Sequence, residues 1–226
     1  MHPTTHAEVA VLVLNWNGRS LLETFLPSWV QHTPAGADLI IVDNGSTDDS
    51  VAFVREHYPE VHLHLFTENH GFAAGYNKAI AELDYKIVVL LNSDVELTAG
   101  WLDEPLRLLD SDSTIAAVQP TIRAQRDPKS FEYAGAAGGF IDSLGYPFCR
   151  GRLFGTLEED HGQYATPTDL FWASGACLII RRDVYLEVGG LDTIFFAHQE
   201  EIDLCWRLNA RGHRIAFGPT SVIYHV

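Results

Sequence analysis

The sequence predicts an α/β protein built on one mostly parallel sheet with helices on both faces. Two observations carry this. Short β-branched apolar runs alternate with amphipathic stretches through the first 120 residues, and each run breaks off into a cluster of Asn, Asp and Gly. Strand–helix–strand alternation with short connections gives a parallel sheet covered on both sides. The composition allows it, since 46% of the 226 residues are apolar, enough for a substantial core.

Val9 to Leu14 is a short apolar run that reads as a buried strand. Asn15, Asn17 and Gly18 end it, and Ser20 to Gln31 carries Leu21, Leu22, Phe25, Leu26 and Trp29 at helical spacing. Asp38 to Val42 is the second strand. Ser46 and Asp49 read as the capping start of a helix running to His57. Val61 to Phe66 is a third strand, Phe72 to Leu83 a helix, and Lys86 to Leu91 a fourth strand. Gly100 to Leu109 reads as helix and Ile115 to Gln119 as strand.

From Arg123 to Thr168 glycines and aromatics dominate. This stretch reads as a loop-rich excursion anchored by Phe131, Tyr133, Phe140, Tyr146, Phe148 and Phe154. Ala176 to Ile180 resumes as strand, His198 to Ala210 as helix and Ser221 to Tyr224 as strand. The chain reads as a single domain over 1–226, with a ligand-binding part to about residue 122 and a second part beyond it. It reaches Val226 without a stop signal, so a further C-terminal element is expected.

Fifteen Lys and Arg face thirty Asp and Glu, a formal net charge of −15. This argues against nucleic acid as a partner, because phosphate backbones are bound by cations. A diphosphate would need a recruited cation. Cys149, Cys177 and Cys205 are widely spaced and form no CxxC pair, so neither a disulfide framework nor a thiolate zinc site is indicated. His2 to Glu8 is polar and the following apolar run stops at Leu14, too short for a signal peptide or a membrane span. A cytoplasmic protein, soluble or at the inner face of the membrane, is expected.

Ligands in open parallel sheets bind at the carboxyl ends of the strands, where the polar clusters fall. Asn92-Ser93-Asp94 delivers a carboxylate suited to Mg²⁺ or Mn²⁺, which take oxygen ligands. Asp43 at the end of its strand could accept a base imide N–H, with Ser46 at a helix start beside it. Asn69, Gly71, Gly75 and Asn77 form a third cluster without the GxGxxG spacing. Taken singly, each is also satisfied by an ordinary Asx turn. Glu200, Glu201 and Asp203 crowd one helix start, with Asp203 and Arg207 spaced as an i,i+4 pair. Apolar residues bracket them, as for carboxylates entering a cleft. Crowded carboxylates raise one another's pKa, a condition suited to a general base. His225 ends a strand-like run, where a neutral imidazole could ligate a metal.

In register, these clusters resemble family 2 inverting glycosyltransferases of the GT-A fold, especially their rhamnosyltransferase-like bacterial branch. The resemblance rests on Val11 to Gly18, Val42-Asp43-Asn44-Gly45-Ser46-Thr47-Asp48, Glu68 to Asn77, Leu91 to Asp94, Ser174-Gly175-Ala176, Gly189 to Asp192 and Glu200 to Arg207. It implies a nucleoside-diphosphate sugar donor, UDP- or dTDP-linked, a divalent Mg²⁺ or Mn²⁺, and a glycan or lipid-linked acceptor of cell-surface polysaccharide synthesis. On that pattern Asn15, Asn17, Asp43, Ser46, Asn69, Gly71, Asn77, Asn92 and Ser93 surround the nucleotide. Asp94 and His225 hold the metal, and Glu201, with Glu200 and Asp203 beside it, is the catalytic base. Trp172, Ser174, Gly175 and Arg207 lie toward the sugar and acceptor.

Two departures stand out. The metal motif is Asn-Ser-Asp rather than Asp-x-Asp, and the usual Glu-Asp pair is Glu200-Glu201, leaving two candidates for the base. A nucleotidyltransferase of the same fold is a rival reading, although Asn15 to Arg19 offers only one cation for a triphosphate. A non-catalytic sugar- or nucleotide-binding module is another.

Overall fold

A computed structural model describes residues 8–195 and 198–226; the polar stretch before Glu8, and Phe196 and Ala197, lie outside it. The first half runs β1 (Val9–Asn15), α1 (Arg19–His32), β2 (Ala37–Asn44), α2 (Ser50–His57), β3 (His62–Phe66), α3 (Phe72–Glu82), β4 (Ile87–Leu91), β5 (Val95–Leu97) and α4 (Asp103–Ser111). It continues with β6 (Ile115–Ala124), β7 (Asp127–Phe131), β8 (Gly139–Ile141), β9 (Pro147–Cys149), β10 (Arg152–Leu153), β11 (Thr156–Leu157) and β12 (Asp169–Leu170). β13 (Cys177–Arg181), α5 (Arg182–Glu187), α6 (Glu200–Ala210) and β14 (Arg214–His225) complete it.

The main sheet has the order β12-β14-β6-β13-β4-β1-β2-β3, with β5 on β14 and β7 on β6. β3, β2, β1 and β4 are parallel. β13 joins antiparallel to β4 and β6, so strands from both parts of the chain share one sheet. Alternate residues of the apolar strands divide between two cores. Ala10, Leu12, Val88 and Leu90 pack with α3, α5 and α6, whereas Val9, Val11, Val13, Val89 and Leu91 pack with α1, α2 and α4. Burial on both faces is why these strands read as unbroken apolar runs.

The chain passes from β1 outward to β2 and β3, then returns to β4 on the other side of β1. That reversal opens a crevice at the strand ends. Tyr76 of α3 ties it together: its hydroxyl donates to Leu91 O at 2.9 Å and accepts from Leu14 N at 3.4 Å. β13 runs the other way, so its N-terminal approach, Ser174 to Ala176, meets the end of β4, and Asn92 N donates to Ala176 O at 3.0 Å. β14 pairs His225 with Val95 and with Ala124, placing His225 beside the residue that follows Asp94.

Several expectations are corrected. Ser46 and Asp49 do not form a helix-capping pair; α2 starts at Ser50, because Ser46 Oγ is occupied by Asn15 and Asn17. α4 starts at Asp103 rather than Gly100, whose φ of +72° makes a turn. α6 starts at Glu200, since His198 and Gln199 both have left-handed φ, 68° and 76°. The 123–168 stretch contains the short hairpins β8–β9 and β10–β11. Of the six aromatics expected to anchor it only Phe131 is fully buried; Tyr133, Tyr146, Phe148 and Phe154 are exposed. The three cysteines are buried and free. No helix among the described residues is long and apolar enough to cross a membrane.

Candidate active site

Two neighbouring regions occupy the crevice. At the ends of β1 and β2, Asp43 is buried: Oδ2 accepts from Asn15 Nδ2 at 3.0 Å and Oδ1 from Ser46 N at 2.9 Å. Asn15 also donates to Ser46 Oγ at 3.2 Å, while its own Oδ1 has no partner. Asn17, in a left-handed turn, accepts from Thr47 N at 2.7 Å and Asp48 N at 3.2 Å. Asn15, Asn17, Asp43 and Ser46 are therefore one hydrogen-bonded unit. Asn44, buried beside it, binds the next turn. Its Nδ2 donates to Asn69 Oδ1 at 2.9 Å and to Gly71 O at 3.0 Å, and its Oδ1 accepts from His70 N at 3.0 Å. Asn44 belongs to the recognised stretch but was not singled out for this role.

At the ends of β4 and β13 and the start of α6 lies a cavity of about 260 Å³. Asn92, Ser174, Gly175, Glu200, Glu201 and His225 line it together, with Phe72, Ala134, Ala176 and His198. Phe72 is half-buried and packs edge-on against Tyr76, centroids 5.1 Å apart, so it serves both the core and the cavity wall. Glu200 is 7% exposed, and one oxygen of each glutamate, Oε2, is buried without a hydrogen-bond partner. Burial pushes the Glu201 carboxyl up to about 7, with the neighbouring Glu200 charge adding to the rise. A carboxyl that is half ionised near neutral pH and lacks a protein partner can exchange a proton with a bound hydroxyl.

Asp94 lies half-buried at the cavity edge, with Oδ1 3.2 Å from His225 Nε2. On the opposite side of the ring, Nδ1 is 3.5 Å from Glu132 Oε1. Both approaches are off-line, so neither ring nitrogen makes a hydrogen bond. Burial opposes the imidazolium, but the two carboxylates outweigh it and raise His225 to about 9. Burial likewise opposes ionisation of Asp94, and His225 outweighs it, leaving the Asp94 carboxyl below its ordinary value. No cluster of three His, Cys, Asp or Glu among the described residues is arranged as a metal cage. Asp94 and the orphaned Nε2 nevertheless offer one oxygen and one nitrogen donor, of the kinds a divalent ion takes.

Some of the expected site residues sit elsewhere. Asp203 turns its carboxylate to Arg207, at 2.9 and 2.7 Å, and Arg207 also holds Val188 O and Gly190 O, both at 2.7 Å. Asn77 Oδ1 accepts from Tyr185 Oη at 2.5 Å and Leu191 N at 2.9 Å, and its Nδ2 donates to Leu191 O at 2.7 Å. Both are tied into the segment leading to α6. Trp172 lies on Gly139 and donates from Nε1 to Phe140 O at 2.8 Å, outside the cavity. Two buried residues that no sequence signal marked position the wall. Gln119 bridges Ser174 N at 2.7 Å and Gly135 O at 2.9 Å, and Glu132 accepts from Ala134 N at 2.5 Å.

The sheet order, with its crevice at the strand ends, is that of the GT-A fold. A family model for Glycosyl transferase family 2 matches residues 10–189, and the chain belongs to that family. It is thus an enzyme that transfers a glycosyl group, rather than a nucleotidyltransferase or a binding module. It is 28% identical over 233 residues to the N-acetylglucosaminyl-diphospho-decaprenol L-rhamnosyltransferase of Mycobacterium tuberculosis, covering 95% of this chain and 75% of the relative. It is 24% identical to the low-salt glycan biosynthesis hexosyltransferase Agl10 of Haloferax volcanii, covering 96% of this chain and 66% of Agl10. GalNAc-T7, solved with UDP, GalNAc and Mn²⁺, shares the fold with a TM-score of 0.75 at 15% identity, over 98% of this chain and 44% of that one. The mannosyltransferase PcManGT of Pyrobaculum calidifontis, solved with GDP-Man and Mn²⁺, does so with a TM-score of 0.67 at 20% identity, over 99% of this chain and 58% of that one. The chain spans three quarters of the rhamnosyltransferase and about half of each solved enzyme.

Proposed function

We propose that this enzyme is a rhamnosyltransferase-like inverting transferase that moves a sugar from a nucleoside-diphosphate donor to a hydroxyl of a lipid-linked or glycan acceptor. The observation that carries the reading is Glu201. Its carboxylate is raised to about 7, has a buried oxygen without a partner, and faces the same cavity as Asn92 and His225. The lipid-linked acceptor in the name of the Mycobacterium tuberculosis relative supports that acceptor class and a role in cell-surface glycan synthesis. Mn²⁺ with UDP in GalNAc-T7 and with GDP-Man in PcManGT supports the cofactor and a nucleoside-diphosphate donor, and the preference for a UDP- or dTDP-sugar rests on the Asp43 unit.

In this reading the Asn15–Asp43–Ser46 unit holds the base, with Asp43 oxygens facing its imide and Asn44 fixing the turn at Asn69 and Gly71. Asp94 and His225 hold a divalent cation, with Asn92 and Ser93 beside them. When bound there, Mg²⁺ or Mn²⁺ supplies positive charge against the diphosphate. Glu201 takes the proton of the acceptor hydroxyl as its oxygen bonds to the anomeric carbon. The bond from that carbon to the diphosphate oxygen breaks with its electron pair on the diphosphate. Glu200 adds negative charge that keeps the Glu201 proton affinity high. Asp203 and Arg207 orient α6 from behind. Gly175 leaves room under Glu201, and the 123–168 hairpins shape the acceptor side, with a cytoplasmic location at the inner membrane face.

The decisive test is turnover of UDP- and dTDP-sugars by Glu201→Gln with a lipid-linked acceptor. We expect kcat to fall about 10²–10⁴-fold, the usual worth of a positioned base, with UDP affinity within twofold of the parent. Retained turnover refutes the assignment.

A further inference from the structure

The 123–168 excursion contributes one buried acid that the proposed chemistry does not use. Glu132 follows β7 and is 7% exposed. A carboxylate is seldom buried without a role in pairing, and no Lys or Arg is paired with this one among the described residues. One oxygen, Oε2, is committed to Ala134 N at 2.5 Å, which fixes the carboxylate plane. The other, Oε1, stands 3.5 Å from His225 Nδ1. Ala134 in turn is anchored through Ser174, whose Oγ donates to Ala134 O at 2.6 Å. The imidazole is thereby flanked, with Glu132 at Nδ1 and Asp94 at Nε2.

We propose that Glu132 is the positioning residue of the site: it accepts a hydrogen bond from Nδ1–H of His225, so that Nε2 presents its lone pair to a divalent cation beside Asp94. A ligating imidazole needs its other nitrogen to donate to an acceptor, which sets the tautomer and the ring orientation. Glu132 Oε1, 3.5 Å from Nδ1, is the acceptor within reach on that side once the ring turns into line, and the bond to Ala134 keeps the carboxylate from swinging away. This also gives a reason for the Asn-Ser-Asp motif to suffice. With Asn92 neutral, a fixed and correctly protonated histidine becomes the second strong ligand. The inference rests on Asp94 and His225 binding a metal.

Glu132→Gln tests it without disturbing the fold. The amide oxygen keeps the bond to Ala134 N, which turns the amide NH₂ toward Nδ1. A donor there favours the wrong tautomer, with the proton on Nε2 where the cation should bind. We expect Mn²⁺ affinity, measured by electron paramagnetic resonance on the full chain with UDP present, to fall 10–100-fold while the thermal midpoint stays within about 2 °C. With Mg²⁺ and UDP, nitrogen NMR of His225 should show the proton on Nδ1 in the parent and on Nε2 in the variant. Unchanged Mn²⁺ affinity in Glu132→Gln overturns the positioning role alone. Failure of the parent to bind Mn²⁺, or equal binding by His225→Ala, overturns the metal reading itself and the inference with it.

Discussion

Glu201 lies against Gly175: a Cβ built on the glycine would stand 3.8 Å from the Cβ and Cγ of the glutamate. The two come from different directions, one from the approach to antiparallel β13 and the other from the first turn of α6. Their meeting seals the Glu201 side chain from solvent on its inner side. The carboxylate beyond that contact lines the cavity rather than the packed core. Burial with an open face is what lets this carboxyl be both raised in pKa and reachable by a ligand.

With Glu201 in the proposed role of base, its raised carboxyl sets the pH dependence of the reaction. A base must be ionised to accept a proton, and Glu201 ionises at about 7. In the free enzyme kcat/KM should therefore fall about tenfold per unit below pH 7 and level off above it. A profile flat from pH 5 to 8 for the parent would remove Glu201 as the base.

The same shift makes a prediction about stability in the absence of ligand. The ordinary value is 4.5 and the folded value about 7. Below 4.5 the group is protonated in both folded and unfolded chains. Between 4.5 and 7 the unfolded chain releases the proton while the folded one retains it, so stability declines through that window and is level above it. Glu201→Gln has no such decline. Relative to the parent, it should gain on the order of 2 kcal/mol at pH 8 and almost nothing at pH 4, by urea denaturation at both values.

The parallel half of the sheet was legible because its strands are buried on both faces and end on Asn or Asp. β1, β2 and β4 show this in an apolar run followed by Asn15, Asp43-Asn44 and Asn92. Position within a cluster was less legible. Ser46 reads as a helix cap, but its hydroxyl accepts from Asn17 N at 2.9 Å, a contact across the crevice that outweighs a local one. Asn77 shares a stretch with Asn69, yet one lies in the crevice turn held by Asn44 and the other reaches Leu191, because Asn69 precedes α3 whereas Asn77 is within the helix, on a turn that faces another neighbour. Glu132 carries no periodic signal, since it lies where glycines replace regular structure. Its meeting with His225 depends on the register of β14, with a shift between Gly218 and Val222.

Asn77 distinguishes a support role from nucleotide contact. Its carboxamide makes three bonds, to Tyr185 and to both backbone groups of Leu191. Asn77→Ala leaves the Leu191 C=O without its donor and the Leu191 N–H with only a 3.3 Å bond to Tyr185 Oη, a loss of about 2–3 kcal/mol. UDP affinity at a temperature well below the melting transition should stay within twofold. If the variant is as stable as the parent but loses UDP, Asn77 is a nucleotide ligand after all.

Gly45 and Gly71 form a matched pair for the nucleotide end of the crevice. Gly45 has a left-handed φ of +74°, which a side chain resists at a cost of about 1 kcal/mol. Gly71, at φ 81° and ψ 179°, lies in a region that essentially only glycine enters. A Cβ on Gly71 meets open space, whereas one on Gly45 would stand 2.6 Å from Glu68 C and 2.9 Å from Asn69 N. Those are backbone atoms, so the clash cannot be relieved by a rotamer change. Gly71→Ala should therefore lose about 1–3 kcal/mol, the cost of that backbone alone, and Gly45→Ala at least about 3 kcal/mol, the conformational cost plus displaced backbone. Because the displaced turn is the one Asn44 holds, Gly45→Ala should also weaken UDP binding at least tenfold under conditions where it remains folded. Urea denaturation with UDP calorimetry on both variants checks this. Equal losses would mean that the close approach of the two turns does not set the shape of the nucleotide site.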